Sequence, residues 1–336
     1  MISVFSSYIT RKDMDLVLSR MVEDAIGEDI YRDRFEKAIK EQFQYEQSIA
    51  FRSPYNALIK AIEIHDLPKG GRIALSALAP DWHRLAVEDA GYEAQILDVD
   101  ETTLHPTLDD IRAVNPSIII LFDALGVIPS PSLVQELNIP IIEDISHTQG
   151  DIKIEGSSIQ NARFYVWSME GDSAIATGGG ALLCAKGKRD AQILRALNDS
   201  LPSELKMTDY NATLGLSQLR SYSLLLERRK TIFDICSAQL SRTRHSMLQI
   251  IGENKTTYAF PIVSAAGAKD IVDYAKKYGV QVLPAFPKSA AMIEESADQR
   301  FPHARSLALR CLLFPMHHKL SNQQVDQIGK VIATLP

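Results

Sequence analysis

The sequence predicts an α/β protein: a large unit built on a mainly parallel sheet between helices, then a smaller C-terminal α/β unit. Three observations predict it. Short, almost wholly apolar runs recur between residues 72 and 186, with helical stretches between several of them, the pattern of parallel strands covered on both faces. A long helical stretch follows over residues 210–240, and a shorter set of apolar runs and helices comes after it. A chain of 336 residues suffices for two domains, expected at 1–225 and 226–336.

The elements follow in order. Residues 11–48 place apolar and charged positions at helical spacing, as in DLVLSRMVEDAI and DRFEKAIKEQFQY. Ser53-Pro54 is a good N-cap and first-position pair for a helix over SPYNALIKAI. Strands are expected in RIALSAL, YEAQILDVD, PSIIILFDAL, IPIIEDIS, ARFYVWSM and GALLCAK, and helices in PDWHRLAVEDAG, TLDDIRAV and SPSLVQELN. Between residues 210 and 240, Leu219, Tyr222, Leu226, Phe233, Cys236 and Leu240 keep a 3-4 spacing that only Arg229 breaks. One continuous helix there would run about 45 Å. The smaller unit reads as strand TTYAFPIVS, helix AKDIVDYAKKYG, strand VQVLPAF, then helices near 303–313 and 321–333.

Composition excludes several function classes. Hydrophobic content of 46% and charged content of 23% are those of an ordinary globular protein. A formal net charge of −6 without a Lys/Arg tract argues against nucleic-acid or acidic-membrane binding. Cys184, Cys236 and Cys311 lie far apart in apolar sequence, as buried thiols of a reducing compartment do. With no signal-peptide core and no run able to span a bilayer, the expected location is cytoplasmic. His317-His318 lacks a partner at ligand spacing and is expected to face solvent rather than bind metal. Gly178–Gly180 departs from the dinucleotide fingerprint and reads as a turn. Glu143 points to the opposite face from Asp144, so those two are no carboxylate pair.

The order of the motifs resembles fold-type I pyridoxal-phosphate (PLP) enzymes, and within them the DegT/DnrJ/EryC1/StrS sugar aminotransferases. RFEKAIKEQF, AVEDAGYEAQILDVDETTLHPTLDDI, IPIIEDISHTQGD, LGLSQLRSYSLLLERRK and FPHARSLALRCLLFPMHHKLSNQQVDQI carry the resemblance over most of the chain. It implies that Asp144 pairs with the cofactor's pyridine nitrogen, that His147 lies beside the ring, and that Ser168 contacts the phosphate. Ser53 opens the helix of the family's phosphate cup. Without a cofactor, His147 or a water would satisfy the Asp144 carboxylate.

Set beside the family pattern, this chain departs in several places. The loop SMEGDSAIATGGGAL has Ser173 where the family has its Schiff-base lysine, or Asp172 if the register shifts by one, and no lysine occurs between Lys153 and Lys186. Serine forms no Schiff base and, without a neighbouring base, carries no proton. Pro54 removes an N–H from the cup, Tyr55 is expected to narrow it, and Arg52 could compensate. Pro80 stands at the ring-stacking position with Trp82 two residues on; Glu204 and Lys206 stand where an asparagine and an arginine belong. The expectation is a homologue that does not transaminate, binds no cofactor covalently, and acts as a binding, scaffold or regulatory subunit in polysaccharide or deoxysugar biosynthesis. It would be a homodimer, or a heterodimer with an active paralogue, with a nucleotide sugar as ligand and neither nucleic acid nor membrane as partner. The alternative is an enzyme holding PLP or pyridoxamine phosphate (PMP) non-covalently on a nucleotide sugar, with His147 or Glu170 as base, as a dehydratase or an aminotransferase.

Overall fold

A computed structural model describes residues 1–7, 9–22, 30–148, 162–248, 258–265 and 267–336. Helices α1 (Arg11–Val22) and α2 (Ile30–Phe43) precede β1 (Gln47–Phe51) and α3 (Pro54–Glu63). Strand–helix alternation then begins: β2 (Arg72–Ser76), α4 (Trp82–Asp89), β3 (Glu93–Leu97), α5 (Leu108–Val114), β4 (Ile118–Phe122), α6 (Pro131–Glu136) and β5 (Ile141–Asp144). Strands β6 (Phe164–Ser168) and β7 (Ala181–Ala185) complete the sheet, followed by α7 (Lys188–Ser200), α8 (Asp209–Leu219) and α9 (Tyr222–Leu240). The C-terminal unit contains β8 (Phe260–Val263), α10 (Ala268–Lys277), β9 (Leu283–Pro284), the short α11 (Ala290–Ile293) and α12 (Ala297–Arg300), α13 (Pro302–Arg310), β10 (Cys311–Phe314) and α14 (Asn322–Ala333).

The seven-stranded sheet runs β1-β7-β6-β5-β4-β2-β3. Strands β3, β2, β4, β5 and β6 are parallel, and β7 and β1 add antiparallel pairs at one edge. All six strands expected in this region form. Strand β1 had been hidden in the helical pattern of residues 11–48, because five residues of QSIAF are too few to establish a period of their own.

Alternation along the strands divides the core. Ile118, Ile120, Ile142, Val166 and Leu183 pack on one face with Leu58, Ile62, Ala86 and Val87 of α3 and α4. Ile119, Leu121, Ile141, Tyr165 and Trp167 pack on the other with Phe35, Ile39, Ala212 and Leu219 of α2 and α8. This puts Asp144 towards α4 and Glu143 towards α2 and α8.

Three expectations need correction. The stretch 210–240 is two helices that meet at Arg220–Ser221, and Arg229 is buried rather than a break in the apolar face. The expected helix at 303–313 stops at Arg310, and CLLF becomes the central strand of a three-stranded sheet, β8-β10-β9. His317 is buried, and its Nε2 lies 3.1 Å from the Ser3 carbonyl. The three cysteines are buried, and burial pushes each thiol up to about 12. Residues 256–257 of the expected strand TTYAFPIVS and residues 149–151 of IPIIEDISHTQGD lie outside the described residues.

Candidate active site

Asp144 is the last residue of β5, at the carboxyl ends of the parallel strands, where ligands of open α/β sheets bind. It is 1% exposed. His83 Nε2 lies 2.8 Å from its Oδ2. The Ser146 N–H donates to Oδ1 at 3.0 Å, and the Ser146 hydroxyl donates to the same oxygen. Burial alone would raise the pKa of this carboxyl; the bonds from His83 and Ser146 hold it below the ordinary value. A carboxylate offers about four acceptor positions, and among the described residues three donors reach it, leaving one position untaken by them.

His83, not His147, therefore satisfies Asp144. A sequence signal for it existed: residues 83, 86 and 87 form the buried side of α4, so His83 had to point towards the sheet. Ser146 was also missed. Its hydroxyl additionally accepts the Ser168 N–H at 2.9 Å, tying β6 to the Asp144 turn.

His147 faces elsewhere. Its Nδ1 accepts the Leu125 N–H at 3.0 Å, which places the ring proton on Nε2. Burial lowers its pKa to about 4, so the imidazole is neutral at physiological pH. Tyr258 stacks on it with centroids 3.6 Å apart and planes at 19°. The stack extends into a ladder of rings: Phe5 on Tyr258, then His147, Phe122, His83 and Trp82. Trp82 thus sits against His83, while Pro80 pairs through its backbone with Ser289 of the C-terminal unit.

The loop after β6 is held along its length. The Ser173 hydroxyl donates to the Ser168 carbonyl at 2.7 Å, and Ser173 is buried. Asp172 Oδ2 accepts the Tyr258 hydroxyl at 2.7 Å. Gln218 brackets Ala176 through both its N–H and its carbonyl, and Asn211 donates to the Thr177 carbonyl. Gly178, Gly179 and Gly180 all have positive φ, as the expected turn requires. The next lysine, Lys186, packs over Tyr45 and Tyr165, on the face of the sheet opposite Asp144.

At the start of α3, the Ser53 side chain caps the helix by accepting the Asn56 N–H at 3.2 Å, with Pro54 in the first turn. Tyr55 corrects an expectation. Its hydroxyl bonds the Asp89 carboxylate and approaches the Leu85 carbonyl, so the ring runs towards the far end of α4 and does not fill the start of α3. Lys206 bridges to Phe51 beside that helix start, and Glu204 is exposed. Among the described residues, no group of three or more His, Cys, Asp or Glu could hold a metal.

The geometry can be set beside known proteins. The family model described as the DegT/DnrJ/EryC1/StrS aminotransferase family matches residues 9–333. A dTDP-4-dehydro-2,3,6-trideoxy-D-glucose 4-aminotransferase of Saccharopolyspora spinosa is 23% identical over 327 residues, covering 84% of this chain and 83% of its own. Among solved structures, Spr1654 of Streptococcus pneumoniae, described as a sugar aminotransferase and seen in its PMP form, superposes with a TM-score of 0.88. It is 18% identical and covers 99% of this chain and 96% of its own. The GDP-4-keto-6-deoxy-D-mannose-3-dehydratase of E. coli, with bound hydrated PLP, gives 0.84 at 14% identity, over 99% of each chain. These likenesses establish the fold, and the solved relatives hold PLP or PMP. In this chain Asp144 keeps an acceptor position that no described donor takes, and the sequence has no lysine between Lys153 and Lys186.

Proposed function

The chain belongs to the DegT/DnrJ/EryC1/StrS aminotransferase family, and from that premise we propose that it is a member that does not transaminate. It acts as a binding, scaffold or regulatory subunit in nucleotide-sugar metabolism, with a nucleotide sugar as its ligand class. The observation that carries this reading is at Ser173. The side chain at the lysine position is a buried hydroxyl already committed to the Ser168 carbonyl. A hydroxyl captures no carbonyl carbon as an imine, and one that donates to a backbone carbonyl is not paired with a base that would move its proton. We take Asp144, His147, Ser168 and Ser53 as the ligand-facing set, the two domains as 1–225 and 226–336, and the assembly as a homodimer.

The decisive experiment mixes the purified protein with PLP, reduces with borohydride and weighs the intact chain. The expected mass is that of the unmodified protein; a reduced phosphopyridoxyl adduct on a lysine of the site overturns the proposal.

A second reading keeps chemistry without the covalent anchor, and one observation favours it. Asp144 is held ionised in a buried position with an acceptor site to spare, which suits a protonated heteroaromatic nitrogen. PMP or PLP would then be held at Asp144, supplying the electron sink that such cofactors provide. Calorimetric titration with PMP separates the two. Saturable heat without a borohydride adduct favours the second reading, and no heat favours the first.

A further inference from the structure

Asp144 is 1% exposed, so no ligand bonds it without a displacement. Phe122 belongs to the middle of the sheet, and His83 to the first turn of α4. Both are fixed by their elements. Tyr258 is different. It precedes β8, its backbone carbonyl is anchored by Arg229 Nη1 at 3.2 Å, and its ring reaches from that pivot across His147. The ring's far end is fastened to Asp172, one residue from the lysine position.

The outer side of the ring is covered too. Phe5 packs on Tyr258 with centroids 5.1 Å apart, and the Ser7 hydroxyl donates to the Gly171 carbonyl at 3.1 Å. Residues 5–7, the loop 171–172 and Tyr258 thus close over one spot, and the bond from Tyr258 to Asp172 joins the C-terminal unit to the loop.

We propose that Tyr258 and Asp172 form an internal latch that closes the face of His147 and must open before a planar heteroaromatic phosphate reaches Asp144. Opening is a rotation of the Tyr258 ring about its Arg229-anchored backbone. The acid beside the lost lysine holds the site shut. This rests on the reading that the Asp144 site takes a ligand.

Two variants test it. Tyr258→Phe keeps the ring and removes the hydroxyl; Asp172→Asn keeps the shape and removes the charge. Losing a hydrogen bond to a charged group should tighten PMP binding by about ten- to a hundredfold, measured by calorimetry on proteins whose thermal melting confirms that they are folded. Amide hydrogen exchange without ligand should quicken together over residues 4–7 and 168–173 in both variants. Where the parent binds PMP, folded variants that bind it no better overturn the latch. If neither parent nor variants bind PMP, the cofactor reading fails and exchange alone decides: coordinated quickening supports the latch, and a change confined to the mutated residue overturns it.

Discussion

Asp144 and Glu143 are adjacent in sequence and opposite in environment. Asp144 meets His83 and Ser146 and stays ionised. Glu143 is buried beside Asp123, the residue after β4, and among the described residues none of their four carboxyl oxygens has a hydrogen-bond partner of ordinary geometry. Two buried carboxyls side by side cannot both ionise cheaply. Burial pushes Glu143 up to about 7 and Asp123 well above its ordinary value, with Lys186 and Tyr45 the other titratable groups facing Glu143. Because folded Glu143 binds a proton that the unfolded chain releases near pH 4.5, this contribution to stability is full below that value and is lost as pH rises through 7. Glu36, raised to about 7 by burial, acts with the same sign, and the buried His105, His147, His317 and His318, lowered to about 4, act with the opposite sign. The Glu143 contribution is therefore read as a difference: the urea midpoint of the parent relative to Glu143→Gln should fall between pH 5.5 and 8. A difference independent of pH would refute the raised Glu143 carboxyl. Strand alternation made the opposed faces of Asp144 and Glu143 legible in sequence. The partners His83 and Asp123 were not, because the packing of α4 on the sheet and the ladder register of β4 against β5 arise only in the folded chain.

Helices and strands were legible where their period had room to repeat. Six strands of the large sheet stand between turn or helix signals, whereas β1 and β10 abut helical patterns directly, so the pattern beside them absorbed them. Helix α13 shows a different limit. Its N-cap, Phe301, makes no side-chain capping bond. The carboxylate that caps it belongs to Asp98, just beyond β3, which accepts the His303 N–H at 3.0 Å and the Ala304 N–H at 2.8 Å. No local sequence rule could pair residues so far apart. Asp98→Ala should lower stability by about 1 kcal/mol, read from urea unfolding. It should also loosen the contact between the β3 end and α13, seen as faster amide exchange at Ala304. An unchanged exchange rate would show that other contacts hold the helix start.

At the scale of the molecule, the resemblance stated from five motifs matched the fold along nearly the whole chain, because strand order and helix placement are set by apolar periodicity that survives substitution. The candidate site was legible only in part. A serine at position 173 is read from one letter, but the aromatic ladder that crosses the candidate site draws on residues 5, 82, 83, 122, 147 and 258. That convergence is a property of the folded whole. The proposed homodimer belongs to this scale as well. Light scattering behind size exclusion should give about twice the 37.3 kDa chain mass; a monomer across micromolar concentrations would remove the dimer from the proposal. Among the described residues, no helix is long and apolar enough to cross a membrane.

Ile2 donates its N–H to the Gly279 carbonyl at 2.7 Å and accepts the Gln281 N–H at 2.8 Å. Val4 donates to the Gln281 side chain. On a ribosome adding about 5–20 residues each second, Ile2 waits tens of seconds before its partners exist. The strap made by residues 2–7, which lies against Tyr258 and Gly171, is therefore among the last contacts a newly made chain can complete. Until then, the outer side of the Tyr258 ring lacks its Phe5 cover on the nascent protein.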